Sequence, residues 1–147
     1  MITELGAFTG GESEFVFAPE RQMSLSRADI SSLAQAKSAN YAGQFILLRE
    51  YDTPIQQVSG LYLAGGFANY INVENALGIG FIANFPPANI TKVGNAALEG
   101  ATIMLLSNEL RQWAETIAKD ITHVELESIP DFFDIFVDGC MFRPMAR

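Results

Sequence analysis

A short apolar run, Gly60 to Ala64, passes directly into Gly65-Gly66, and Phe67 opens a segment of helical character. No other stretch restricts the fold as much. Two glycines where a strand hands over to a helix permit φ > 0 and let another molecule touch the backbone N–H groups. The same pair also serves a tight strand-to-helix turn that binds nothing. What surrounds the pair has to separate these two readings.

A chain of 147 residues suits one domain, here 1–147, and can bury roughly two-thirds of the surface its unfolded form exposes. Its 49% hydrophobic content is that of a folded globule. Apolar stretches are interrupted by Gly, Asn or Glu well short of the ~20 residues a membrane span needs. The N-terminus lacks the basic-then-apolar layout of a signal peptide. With a single cysteine, Cys140, there is neither an internal disulfide nor a multi-cysteine metal cluster, so a cytoplasmic location is expected. Seventeen acidic against nine basic residues give a net charge of −8. The scattered cations argue against nucleic acid as a partner, because phosphate neutralisation needs them clustered. A nucleotide held by backbone N–H groups and one or two lysines stays open.

Residues 1–20 read as a hairpin in which Ala7, Phe15 and Phe17 alternate about a Thr9-Gly10-Gly11-Glu12 turn and Pro19 ends the second strand. Ser26 with Asp29 has the form of an N-cap, and Ile30, Leu33, Ala34, Tyr41, Phe45 and Leu48 recur at helical spacing to about Glu50. Lys37 lies on that stripe, either snorkelling to water or reaching a bound nucleotide. Asn72 caps a small helix that Gly78 and Gly80 end; Phe81-Ile82 is expected to add a strand before the extended Pro86-Pro87 loop. A helix starts at Gly94-Asn95 and runs to about Leu106, with Ala97, Gly100 and Ala101 forming a smooth face. Ser107 caps another, with Leu110, Trp113, Ala114, Ile117 and Ile121 as its expected buried stripe. Thr122 to Ser128 alternates like a half-exposed strand, Val124 and Leu126 inward. Pro130 opens a last helix carrying Phe132, Phe133, Phe136 and Val137, which Gly139 closes.

Catalytic groups are sparse. His123 is the only histidine, so histidine-rich metal sites are excluded, and it reads as a solvated strand residue. Asp131, Asp134 and Asp138 share a helix face and suit a wet surface better than a divalent ion. Glu74 and Glu99 stand in first turns, where the helix dipole favours an acid. Neither G-x-x-x-x-G-K-[ST] nor G-x-G-x-x-G is present. A nucleotide held here would have only half of its site in this chain, and no Mg²⁺ ligands.

The strand–Gly65-Gly66–helix junction, the proline loop and Gly94-Asn-Ala-Ala-x-x-Gly100-Ala101 together resemble the closing half of the actin, sugar-kinase and heat-shock-chaperone superfamily. Leu61-Tyr-Leu-Ala-Gly-Gly-Phe-Ala-Asn-Tyr-Ile71, Glu74-Asn-Ala-Leu-Gly-Ile-Gly80, Ala114-Glu-Thr-Ile-Ala118, Phe132-Phe-x-x-Phe136 and the upstream Leu33-Ala-Gln-Ala-Lys37 are similar to the C-terminal domain of the reductive activators of corrinoid proteins. The likeness covers roughly residues 13–142. It implies an α/β fold of ribonuclease-H-like, actin-like ATPase type, with a mixed sheet flanked by helices and an N-terminal hairpin. It further implies an ATP-dependent activator that returns corrinoid cobalt from Co(II) to Co(I), reactivating a methyltransferase system of one-carbon metabolism. The cofactor-binding set by that resemblance is Gly65, Gly66 and Phe67 beside the adenosine or α-phosphate, Lys37 toward adenine or ribose, and Gly94 and Asn95 at the hinge. ATP would share its site with a half not in this chain. A [2Fe-2S] cluster is expected in the parent protein but not here, and the chain is expected to be its excised C-terminal domain. Expected partners are a corrinoid protein and the parent's N-terminal domains, with a homodimer open; neither nucleic acid nor membrane is expected. Two alternatives stay open: a non-catalytic docking domain of degenerate actin-like fold, and a fragment of another actin-like kinase.

Overall fold

A computed structural model of the chain describes residues 2–145. They form two compact units, the first made of 2–58, 72–85 and 126–145, the second of 59–71 and 86–125. The fold is mixed α/β, with helices flanking two small sheets.

In the first unit, strands β1 (Glu14–Ala18) and β2 (Met23–Ser26) pair antiparallel across a 3₁₀ turn at Pro19–Arg21. The strand carrying Phe15 and Phe17, ended by Pro19, is thus the one expected, but its partner lies downstream. The N–H groups of Thr3 and Gly6 bond the carbonyls of Ala7 and Thr3, curling residues 3–7 into a turn. Only an isolated bridge, Ile2 to Phe8, is left upstream, and Ala7 is exposed.

Helix α1 (Arg27–Glu50) begins at the expected cap. Ser26 Oγ accepts from the Asp29 N–H at 3.2 Å, while the Asp29 carboxylate accepts from the Ser26 N–H at 2.8 Å. That backbone hydrogen bond holds the Asp29 carboxyl below its ordinary pKa. The buried face comprises Ile30, Lys37, Ser38, Tyr41, Ala42 and Ile46, rotated from the expected stripe, so Leu33 is exposed. Packing against helix α6 (Phe132–Gly139) sets that rotation. Ser38 Oγ donates to the Phe136 carbonyl, and Arg49 grips the Asp131 carboxylate at 2.7 and 3.1 Å. The N–H bonds of this guanidinium hold Asp131 below the usual carboxylate pKa. Pro130 and Gly139 bound α6 as expected, but Ile135 and Gly139 are its buried residues while Phe133 and Val137 face outward.

Helix α2 (Gly66–Tyr70) belongs to the second unit, and helix α3 (Val73–Gly78) is capped by Asn72, whose side chain accepts from the Asn75 N–H. Residues 81–82 are not a strand. The side-chain amides of Asn40 and Gln44 donate to the Phe81 carbonyl, and Gln44 Oε1 accepts from the Ala83 N–H at 2.9 Å. Side chains of α1 thereby take the role a partner strand would have had, with Ile82, Ala83 and Phe85 buried.

The second unit is built on two parallel strands, β3 (Leu61–Ala64) and β4 (Ile90–Gly94). Helix α2 (Gly66–Tyr70) follows β3, and α4 (Ala96–Leu106) follows β4 and leads into α5 (Asn108–Asp120). Strand β4 stands where the proline pair predicts an extended loop; the loop is confined to a 3₁₀ turn at Pro87–Asn89. Helices α4 and α5 pack on each other, yet Leu110, Trp113, Ile117 and Ile121 are exposed, Trp113 by 62%. The expected buried stripe of α5 is therefore uncovered, because one neighbouring helix cannot shield it. Residues 121–125 are irregular and Leu126–Ser128 is a 3₁₀ turn. The alternation at Thr122 to Ser128 finds no strand to pair with, although Val124 and Leu126 are half-buried.

A Cβ at Gly139 would stand 2.8 Å from both Ser38 Oγ and Tyr41 Cδ1, whereas one at Gly100 in α4 meets nothing within 4 Å. Gly139→Ala is expected to destabilise by about 1–3 kcal/mol through overpacking of the α1–α6 seam. Gly100→Ala should be neutral or stabilising by up to about 1 kcal/mol. Urea titrations of the two variants check this pair.

Candidate functional site

The local geometry at Gly65 is set by two backbone requirements. Its φ of +95° lies in the left-handed region that favours glycine, and its N–H donates to the Gly94 carbonyl at 2.7 Å. Gly66 has an ordinary φ and begins α2, yet a Cβ built on either glycine meets no atom within 4 Å. Conformation therefore demands glycine at 65 but not at 66, where the vacant side faces open space. With Gly65 as N-cap, no side chain caps α2.

Across the strand pair, Leu61, Tyr62 and Leu63 face Ile90, Thr91 and Lys92, but Ala64 faces Gly94. Val93 is an extra residue, a bulge that places the Gly94 carbonyl against Gly65. Gly94, at φ +66°, turns the chain into α4, and the Asn95 side chain caps that helix by accepting from the Leu98 N–H at 3.1 Å. Gly65, Gly66, Phe67, Gly94 and Asn95 thus meet at the carboxyl ends of two adjacent parallel strands. Open α/β sheets place ligand crevices at such ends. Phe67 is 70% exposed beside the glycines. Lys92, which no local pattern marks because β4 is a strand only through its pairing with β3, donates from Nζ to the Asn69 and Ile71 carbonyls at 3.1 and 2.7 Å.

Lys37 belongs to the first unit and does not snorkel. Its side chain is fully buried, its Nζ donates to the Gly139 carbonyl, and it lies 5.6 and 5.8 Å from the Tyr41 and Phe142 ring centroids. Burial pushes its pKa down, opposed by Cys140 and Asp138. Tyr41 donates to Asp138 Oδ2 at 2.8 Å, and Arg143 bonds Asp138 Oδ1 at 2.6 Å. Desolvation, then the bond to Asp138, raises the Tyr41 pKa to about 12. Asp131 and Asp138 are hence engaged with arginines, and no group of three or more metal-ligating side chains is assembled among the described residues. His123 is exposed on irregular backbone and Cys140 is half-buried. No helix among the described residues is long and apolar enough to cross a membrane.

Residues 6–146 match the family described as the C-terminal domain of RACo, the ASKHA domain. The chain is 31% identical over 135 residues to the "Corrinoid activation enzyme RamQ" of Eubacterium limosum, covering 91% of this chain and 22% of RamQ. A solved structure, "Reductive activator for corrinoid, iron-sulfur protein", superposes with a TM-score of 0.76 at 32% identity, covering 84% of this chain and 20% of that one. The chain spans about a fifth of the length of these relatives.

The Tyr41 pKa is raised above its ordinary value of 10 to about 12. Its contribution to stability is therefore fully present below pH 10 and lost as pH rises through 12. Lys37, with a lowered pKa, acts with the opposite sign, and the stability it withholds at neutral pH returns as pH rises to 10.5. In urea titrations from pH 8 to 12, the stability difference between wild type and Tyr41→Phe should stay constant to about pH 10. Beyond that it should shift in favour of the variant.

Proposed function

The chain belongs to the family of RACo C-terminal, ASKHA-type domains, and from that premise we propose that it supplies the nucleotide-binding C-terminal part of an ATP-dependent activator of a corrinoid protein. The activator would return corrinoid cobalt from Co(II) to Co(I), keeping a methyltransferase system in its active state. The observation that carries this reading is the open diglycine junction at the ends of β3 and β4. Backbone of this kind accommodates adenosine and the adjoining phosphate without side-chain obstruction. Gly65, Gly66 and Phe67 would border the nucleotide, with Gly94 and Asn95 at the turn into α4. Lys37 has its ammonium on the Gly139 carbonyl, and we assign it that internal role.

A single cysteine cannot hold a [2Fe-2S] cluster. The electron donor of the proposed reaction therefore uses residues outside this sequence. ATP bound at the junction would supply the free energy difference between open and closed arrangements of the protein, biasing it toward the form that engages the corrinoid protein. The sequence contributes neither a phosphate loop nor Mg²⁺ carboxylates to hydrolysis. The 147-residue chain by itself is therefore expected to fold without turning over ATP, as a phosphate-release assay checks.

Gly66→Val tests the reading directly, because its ordinary φ and vacant surroundings let the side chain enter without strain. In the full-length protein, MgATP affinity should fall about tenfold or more, roughly 1.4 kcal/mol, with little change in melting temperature. Wild-type affinity in the variant leaves the diglycine as a turn. That result favours a docking domain, a role suited to the exposed leucines of α4 and Trp113 of α5.

A further inference from the structure

We propose that Lys92 is the positioning residue of the diglycine junction, holding it in binding geometry through the backbone of α2. This rests on the nucleotide reading above and deepens it. A helix of five residues cannot hold its own conformation, because nucleation costs more than so few hydrogen bonds return. Its N-cap, Gly65, offers no side chain, and at its other end Ile71 is extended, with its N–H bonding the Phe67 carbonyl at 3.2 Å.

Strand β4 supplies restraints at both ends. The Gly94 carbonyl takes the Gly65 N–H at 2.7 Å, fixing the entry to α2. Lys92 Nζ reaches the exit, donating to the Asn69 carbonyl at 3.1 Å and the Ile71 carbonyl at 2.7 Å. These are charge-assisted bonds, stronger than neutral ones, and a cation at a helix C-terminus also interacts favourably with the dipole. Lys92 and Gly94 are separated by Val93, the bulged residue, so one irregularity in β4 sets both contacts. Lys92 is exposed, and its two carbonyl bonds are the contacts by which it acts on α2.

The experiment compares wild type, Lys92→Met and Lys92→Arg in the full-length protein. MgATP affinity is measured by calorimetry well below the melting temperature, and amide hydrogen exchange is followed over residues 65–71 without nucleotide. Lys92→Met should weaken MgATP about tenfold or more and speed exchange across 66–71 while the melting temperature changes little. Lys92→Arg, which keeps the charge and the donors, should restore most of both. Wild-type affinity in Lys92→Met, or unchanged exchange across α2, overturns the proposal. So does a lowered melting temperature with unaltered affinity, which is the signature of a structural role alone. Wild-type protein that binds no MgATP overturns the nucleotide reading itself and this inference with it, whereas binding by wild type and by Lys92→Met alike removes Lys92 only.

Discussion

The arrangement of the first unit depends on a cation that has no access to water. The Lys37 ammonium sits between α1 and the C-terminal end of α6, on the Gly139 carbonyl and near two aromatic rings. A buried charge is tolerated only when hydrogen bonds and nearby opposite charge replace its hydration. The carbonyl end of α6 and the Asp138 carboxylate provide these, and Tyr41 and Arg143 fix that carboxylate in turn. Gly139 has to be glycine for the two helices to approach this closely. One contact thereby couples the rotation of a 24-residue helix, the placement of α6 and the course of the C-terminal segment.

The second unit is organised by strand β4. Through a one-residue bulge it directs the Gly94 carbonyl to the start of α2 and the Lys92 ammonium to its end. The diglycine junction is thus backbone bonded to β4 at both ends of α2, and a Cβ built on either glycine meets no atom within 4 Å. The same unit leaves much of α4 and α5 exposed although both are rich in leucine, isoleucine and aromatic side chains. Two parallel strands and three helices do not enclose a core of that composition.

Local signals carried much of the fold. The Ser26–Asp29 capping box and the Asn72 cap were legible because each depends on atoms only three residues apart. The diglycine junction was legible for the same reason. The strand signals were not reliable. Residues 122–128 alternate without a partner, whereas Ile90–Gly94 is a strand because β3 lies beside it. A strand needs its neighbour's hydrogen bonds, and the neighbour is distant in sequence.

Sequence by itself determined the caps, the breaks, the two glycines at the end of β3 and the family to which this chain belongs. Each is encoded in residue identity at short spacing. Only the tertiary structure decided that Lys37 turns inward to Gly139, that Gly66 has vacant space where Gly65 has a conformational demand, and that Lys92 closes the far end of α2. The two lysine contacts hang on which atoms approach across 102 and 21 residues of chain, and the Gly65 N–H finds the Gly94 carbonyl 29 residues away. Packing of whole elements sets such approaches, and no local pattern encodes them.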